Sequence, residues 1–515
     1  MIPCPPVPRP DGARPARSKP RRPPRPELRL GPVLLARGTQ GGRWRVSCCM
    51  LFRGDAEPAD LRVEGVSLPV PPRFLAEWSL DGGVVERLWR YDFAVPRGVQ
   101  DGRAGYGLDG DDRRWHFALP GTLVPPRIAF ASCGGCEDEA AIAAAGLSRN
   151  ARWGHLLGRH RAEPFHLLLL GGDQVYADGL WQGVEGLTAA TAARRGSTPL
   201  PPDLPARLDR WYLEVYRHGW SQPETAAVLA SVPALCMWDD HDILDGWGSH
   251  PDAVLDSDPY RAVFAAARKA FRLFQLGMAD DPPETLLADP GTGVLSQGLT
   301  LNGVGVLALD LRSERRPDRV MSETTWEALP GWLDRYRGAR HLLLMSGVPV
   351  LFPGLGLAER ILNLIPGRQR LEDDLRDQWR SPAHREEWIR LLRLLAGFVR
   401  ETRCRVTVVS GEVHLGGVGV LRGLDLEIWQ LISSGIVHPP PAGFAVDMLE
   451  RLAGRREPLA DGLTLEFPGF AETGRRLLPA RNWLSLTGQP DGALEAEWHA
   501  EGAPAPLRLT LPTLF

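Results

Sequence analysis

The sequence predicts an α/β protein, with a sheet core inside and helices outside, preceded by a small β-sandwich. Three observations predict it. Apolar runs that break off into Gly, Asp, Cys or His recur four times within the stretch 125–450, as strands buried on both faces do. Helical patterns such as PPDLPARLDRWYLEVYRHG and PYRAVFAAARKAFRLFQLG alternate with them, which is the texture of sheet covered by helices. Residues 29–120 instead carry short β-type runs (PVLLAR, WRVSCCMLF, DLRVEGVSL, RLWRYDFAV, RWHFAL) punctuated by Gly, Pro and Asp, the spacing of a sandwich.

Taken in order, residues 1–28 are too rich in proline for helix or ladder and read as a disordered lead. They hold no apolar run, and Arg21–Arg22 is followed by PPRPELRLG rather than a hydrophobic segment, so neither a signal peptide nor a twin-arginine signal is expected and the cytoplasm is favoured. The catalytic stretch is placed at 125–450, with charge-laced amphipathic helices between about Pro353 and Arg400 (RQRLEDDLRDQW, REEWIRLLRLLAGFVR). Residues 451–515 hold strand-like pieces, LTLEFPGF, NWLSLTG, ALEAEWHA and LRLTLPTL, expected to complete a sheet.

Totals narrow the function classes. A net charge of −3 gives no bulk attraction for nucleic acid or an anionic membrane. No run approaches membrane-spanning length. Seven cysteines at irregular spacing do not outline a disulfide framework and fit a reducing compartment. Only Lys19 and Lys269 are lysines among 60 basic residues; arginine's fork suits phosphate, although GC-rich coding explains the bias as well. Composition is silent on oligomeric state.

The strand ends carry the chemistry. In HLLLLGGDQVYAD the run stops at Asp173, with Tyr176 just beyond; PRIAFASCGGCEDE places Cys133 after a strand; SVPALCMWDDHDILDGWGSH places Asp239 to Asp242 and Asp245; RVTVVSGEVHLGG places Glu412 and His414. Ligands gather beyond the carboxyl ends of such strands. Hard oxygen donors with one imidazole and one thiol suit a pair of metal ions, which Asp173 is placed to bridge. A turn-capping role is the plainer reading of a single Asp there. Cys133-Gly-Gly-Cys136 also matches the dithiol of a thiol oxidoreductase, a reading that leaves Asp173, WDDHD and EVH unexplained. LALDLRSERR offers Asp310 and Arg312, the latter either clamping a phosphate oxygen or pairing with Asp310. Trp181, Trp238 and Trp247 line a cleft or fill a core.

SCGG, GGDQVYAD, WDDHD, LALDLRSERR and SGEVH, in this order and at these separations, resemble the PhoD-type alkaline phosphatases of the calcineurin-like metallophosphoesterase superfamily, over about residues 125–440. The resemblance implies a four-layer α/β/β/α sandwich, with the N-terminal β-sandwich ahead of it. It implies a hydrolase of phosphoric mono- or diesters, with a small-molecule ester as partner. The cofactors would be Fe³⁺ and a divalent ion, foremost Ca²⁺ with Mg²⁺ or Mn²⁺ as alternatives, in a dinuclear or trinuclear site whose hydroxide attacks phosphorus in line. By the same resemblance Cys133, Asp173, Tyr176 and His414 are metal ligands on or beside iron, and Glu412 lies on the divalent side. Asp240 or Asp245 supplies the second-metal ligand, His241 meets the phosphoryl oxygen or protonates the leaving group, Arg312 contacts phosphate, and His438 is a rim candidate. Glu412 departs from the Asp commoner in the family, and a catalytically impaired, metal-binding member is the alternative that this departure implies.

Overall fold

A computed structural model describes residues 25–187, 200–279, 287–354, 377–411, 413–441 and 443–513. The lead up to residue 24, most of RQRLEDDLRDQW and the candidate ligand Glu412 lie outside the described residues. In chain order the strands are β1 (Glu27–Gln40), β2 (Arg43–Arg53), β3 (Leu61–Val63), β4 (Arg73–Ser79), β5 (Val85–Pro96), β6 (Gly102–Leu108), β7 (Trp115–Leu119), β8 (Arg127–Ala131), β9 (Leu167–Gly171), β10 (Ala234–Met237), β11 (Gln297–Leu301), β12 (Val304–Ala308), β13 (His341–Ser346), β14 (Arg405–Ser410), β15 (Gly416–Arg422), β16 (Glu427–Ser433), β17 (Glu457–Pro458), β18 (Thr464–Glu466), β19 (Leu477–Leu478), β20 (Asn482–Gly488), β21 (Leu494–Ala500) and β22 (Leu507–Leu511).

They form two large sheets and a small one. The first runs β22-β21-β20-β8-β9-β10-β1-β2-β5-β4; the second runs β11-β12-β13-β14-β16-β15-β18-β17, with β19 on β15; β3, β6 and β7 make the third. At the centre of the first sheet β8, β9 and β10 are parallel, with Ala129 and Ala234 both in register with Leu168. In the second, β12, β13, β14 and β16 are parallel. Parallel strands need both faces covered, and the leucine run of β9 shows how. Leu167 and Leu169 share one core with Val306, Met345 and Leu431 of the second sheet. Leu168 and Leu170 turn the other way, onto Leu156, Tyr212 and Val263 of the helices Ala151–Ala162, Leu204–Trp220 and Asp258–Ala270. Truncating any of these leucines to alanine costs about 2–5 kcal/mol. A third core sets Leu307, Leu344 and Val408 against the helices Glu323–Asp334 and Arg385–Thr402. No described helix is long and apolar enough to cross a membrane.

The N-terminal strands correct one expectation. Four of the seven do not close a sandwich of their own but extend the first sheet, because β1 lies parallel to β10 with Leu35 opposite Ala234. The physical reason is that Val33 to Ala36 are buried on both faces, Val33 and Leu35 in the helix-side core and Leu34 and Ala36 between the sheets, so the strand requires two covering layers. Beyond residue 450 the chain returns to both sheets, β20 pairing with β8 at Leu484–Phe130.

Candidate metal centre

The two sheets meet where their parallel strands end. Ser132, just past β8, donates to the carbonyl of Ser433 at the end of β16, 3.0 Å away, and Gly411 after β14 leaves no room for a side chain, since an added Cβ would sit 2.2 Å from Ser132 Oγ. Gly172, at φ +100°, lets the turn after β9 approach Asp239, whose Cβ would be 2.7 Å from an added one. Six non-glycine residues have positive φ among the described residues, and three of them are the expected ligands Cys133 (53°), Asp173 (54°) and His414 (53°). Such positions are uncommon for residues with a Cβ and gather at functional sites. Backbone conformation therefore singles out the same side chains as the motifs do.

These turns converge on one group of side chains. Ligand atoms of Asp173, Asp240 and His241 all lie within 4.8 Å of one another. The buried Cys133 thiol is 3.5 Å from Asp173 Oδ2 and 3.2 Å from Ser434 Oγ. Tyr176 stacks on His241, ring centroids 4.2 Å apart, with its hydroxyl 3.4 Å from His414 Nε2. The His414 ring lies 3.5 Å from that of His438. Asp240 Oδ2 accepts the Gly246 N–H at 2.8 Å, whereas Asp173 Oδ1 and Asp240 Oδ1 are buried with no hydrogen-bond partner among the described residues. A buried carboxylate oxygen without a donor is costly. Two of them beside an imidazole, a thiol and a phenol form a donor set that fits hard and borderline cations.

The electrostatics point the same way. Burial and then Asp240 hold the Asp173 carboxyl well above the usual carboxylate range. Burial, reinforced by His438 and His241, pushes His414 well down, so the ring stays neutral and able to ligate. His241 goes in the opposite direction: burial disfavours its charge, but Asp178 and Asp240 outweigh burial and raise it well above the usual value. Its Nδ1 is 2.8 Å from Asp178 Oδ2, and Asp178 Oδ1 accepts the Asp245 N–H at 2.7 Å. Asp240 lies with Asp173 and His241; Asp245, the alternative ligand, has its backbone N–H on Asp178 and its carboxyl pushed up to about 6 by burial against the pull of His241, so both carboxyls stand beside the centre.

Arg312 requires correction. Its side chain is fully buried and its donors are taken by protein: Nε by Asp239, Nη1 by Asp377 and by the Trp247 carbonyl, both at 2.9 Å, and Nη2 by Asp377 at 2.7 Å. No fork remains for a phosphate, and Asp310 takes only the Arg312 backbone N–H. Arg312 stands 3.6 Å from Asp240 Oδ1, so it positions the WDDHD turn. Trp238 and Trp247 are buried and stack on Phe271 and Phe264, so they fill core. His438 bonds Glu137 at 3.1 Å and, with Cys136 and Glu137, makes a second close group; Glu137 is in turn 3.8 Å from His241. Cys133 and Cys136 have separate partners, Cys136 facing Glu137 and the Asp138 carbonyl. A thiolate at Cys133 would confront the Asp173 carboxylate, the reverse of the electropositive setting a redox thiol needs.

Asp242, one of the strand-end carboxylates, and Asp178 serve as acceptors that hold the turns. Asp242 accepts the Asp239 N–H (2.9 Å), the Val175 N–H (3.3 Å) and Gln275 Nε2 (2.9 Å), tying the turns after β9 and β10 together. Gln275 reaches it from a π-helical turn, Phe271–Gln275, a distortion frequent near functional sites. Asp178 closes the GGDQVYAD block itself and was findable as the acid His241 needs. A cavity of about 350 Å³ opens beside Cys136, Glu137, Tyr176 and Asp178.

A profile of the family described as PhoD related phosphatase matches residues 138–371 and 356–457. The uncharacterized protein YGR266W of Saccharomyces cerevisiae is 25% identical over 457 residues, or 71% of this chain, and the chain spans 65% of that relative's length. The solved structure of PhoD is similar in fold, with a TM-score of 0.55 over 93% of this chain and 88% of that one, at 13% identity.

Proposed function

Since the chain belongs to the family of PhoD related phosphatases, we propose that it is a metal-dependent hydrolase of small phosphoric esters, built on the four-layer sandwich of that family. The observation that carries this is the pair of buried carboxylate oxygens on Asp173 and Asp240 that lack a hydrogen-bond partner among the described residues, next to a His241 whose charge Asp178 favours. Fe³⁺ would be held by Cys133, Tyr176 and His414, and a divalent ion, Ca²⁺ foremost or else Mg²⁺ or Mn²⁺, by Asp240 or Asp245, with Asp173 and Glu412 as further ligands of the set. Bound there, the ions would supply a nucleophilic hydroxide and Lewis-acid stabilisation of charge on the phosphoryl group. His241 donates its Nε2 proton to the departing alkoxide, and Asp178 holds the imidazolium by its Nδ1–H. The cavity lined by Glu137, Tyr176 and Asp178 receives the ester's organic group.

The test is hydrolysis of a mono-aryl and a bis-aryl phosphate by protein reconstituted with iron and calcium, before and after His241→Gln. Turnover that falls at least a hundredfold in the variant supports the reading, and the two substrates rank monoesterase against diesterase. A chain that binds the ions but turns over neither ester belongs to the catalytically impaired alternative, against which the His241–Asp178 pair speaks, since a purely structural site has no use for it.

A further inference from the structure

A cavity of about 530 Å³ lies away from this centre, walled by Phe117, Leu157, Pro164 and Ala230 and rimmed by Arg103, Arg114 and Arg161. Pro164 and Ser231 precede β9 and β10, whereas Asp173 and Asp240 follow them, so the two sites occupy opposite edges of the first sheet, separated by a five-residue strand of roughly 17 Å. Its size is within the range of about 300–1,000 Å³ usual for small-molecule sites.

Charge sets this cavity apart. The chain as a whole is nearly balanced, with 60 basic and 63 acidic residues, yet the lining contains three arginines, two histidines and no carboxylate. The arginines come from different places: Arg103 from β6, Arg114 from the turn before β7, Arg161 from the last turn of the helix Ala151–Ala162. Among the described residues Arg103 and Arg161 have no ion pair, and Arg114 bonds the backbone carbonyls of Asp111 and Arg113. His160 in the wall accepts the Phe165 N–H on Nδ1 at 3.1 Å, which leaves Nε2–H as a donor in the neutral ring. Burial, then Arg103, Arg127 and Arg161, push this imidazole down to about 4, so it is neutral near pH 7.

We propose that this cavity binds an organic phosphate, the arginine forks of Arg103, Arg114 and Arg161 taking the phosphate and the Phe117, Leu157, Pro164 and Ala230 wall taking its carbon body. Arg103 and Arg161, both acting on His160, with Arg114 in the same lining and no carboxylate there, form a standing positive field, and planar forks match phosphate oxygens in pairs. The apolar wall selects an organic phosphate over the inorganic ion. This site does not depend on the reaction proposed for the metal centre.

Calorimetric titration of AMP, adenosine and inorganic phosphate decides the matter. The full chain is used with Asp173→Asn and chelator present, so that binding at the metal centre is silenced. The expected result is that AMP binds, adenosine and inorganic phosphate bind at least tenfold more weakly, and Arg103→Ser with Arg161→Ser weakens AMP at least tenfold with unchanged circular dichroism. Both arginines are exposed, so folding does not hinge on them. Absence of AMP binding at millimolar concentration, equal AMP affinity in the arginine variant, or inorganic phosphate binding as tightly as AMP each overturns the proposal.

Discussion

Replacing Arg312 by methionine separates a buried positioning arginine from a substrate clamp. The substitution keeps the unbranched stem and removes the guanidinium with its charge. It deletes the hydrogen bonds to Asp239, to both oxygens of Asp377 and to the Trp247 carbonyl, leaving Asp377 with Arg315 and the Ser249 hydroxyl and Asp239 without its ion pair. Breaking a buried ion pair by removing one partner costs about 3–5 kcal/mol. The Asp377 carboxyl gives a partial check: burial opposes its charge, yet Arg312 and then Arg315 bring it from 3.8 to about 2, a shift worth about 2 kcal/mol at 1.36 kcal/mol per unit. Its folded pKa is depressed, so this stabilisation is present above the unfolded value of 3.8 and is lost as pH falls through about 2. In the variant the sign reverses. Burial raises the folded-state pKa of the abandoned carboxylate, so the variant is most stable below the unfolded value and loses stability as pH rises through the folded one. Urea unfolding followed by tryptophan fluorescence at pH 5 and pH 8 is the assay, and the deficit is expected to be larger at pH 8. An unfolding midpoint unchanged within error, together with a raised KM for an aryl phosphate, would refute the reasoning and return Arg312 to the substrate.

Other expectations follow from individual contacts. Asp178→Asn removes the first of the groups that raise His241 against burial; the alkaline limb of the pH–rate profile is expected to move to lower pH, and kcat to fall by about 10²–10⁴-fold. Cys133→Ser is expected to reduce iron content and activity strongly while Cys136→Ser reduces them little, because only Cys133 contacts Asp173; equal losses in the two variants, read by metal analysis and turnover, would favour dithiol chemistry. Tyr176→Phe is expected to abolish the visible charge-transfer band of iron-loaded protein without unfolding it, and a band of unchanged intensity would remove the phenol from the ligand set.

The strand ends and the side chains they carry were legible because the signal is local. HLLLLGG declares its own strand and stop, whereas the positive φ at Cys133, Asp173 and His414 is visible only in the structure. The fate of β1 was not legible: PVLLAR reads the same whether it borders a sandwich or continues a larger sheet, and only the pairing of Leu35 with Ala234, far along the chain, decides it. Arg312 was misassigned for a related reason. Its partner Asp377 lies 65 residues further on, in a stretch that reads as a solvated helix face, and long-range ion pairs leave no mark on local periodicity. Asp240 and Asp245 are equivalent in sequence; the structure gives one the Gly246 N–H on its carboxylate and the other an Asp178 contact on its backbone.

Metal content measured together with phosphate-ester turnover, in the wild-type chain and in Asp173→Asn, tests the central claim most directly. Burial and Asp240 already disfavour charge on Asp173, so the metal-free variant is expected to be at least as stable as the wild type, which separates loss of function from loss of fold. The account expects near-stoichiometric metal and turnover in the wild-type chain and neither in the folded variant. Wild-type protein that holds no metal after reconstitution, or a variant that keeps both metal and turnover, would contradict it.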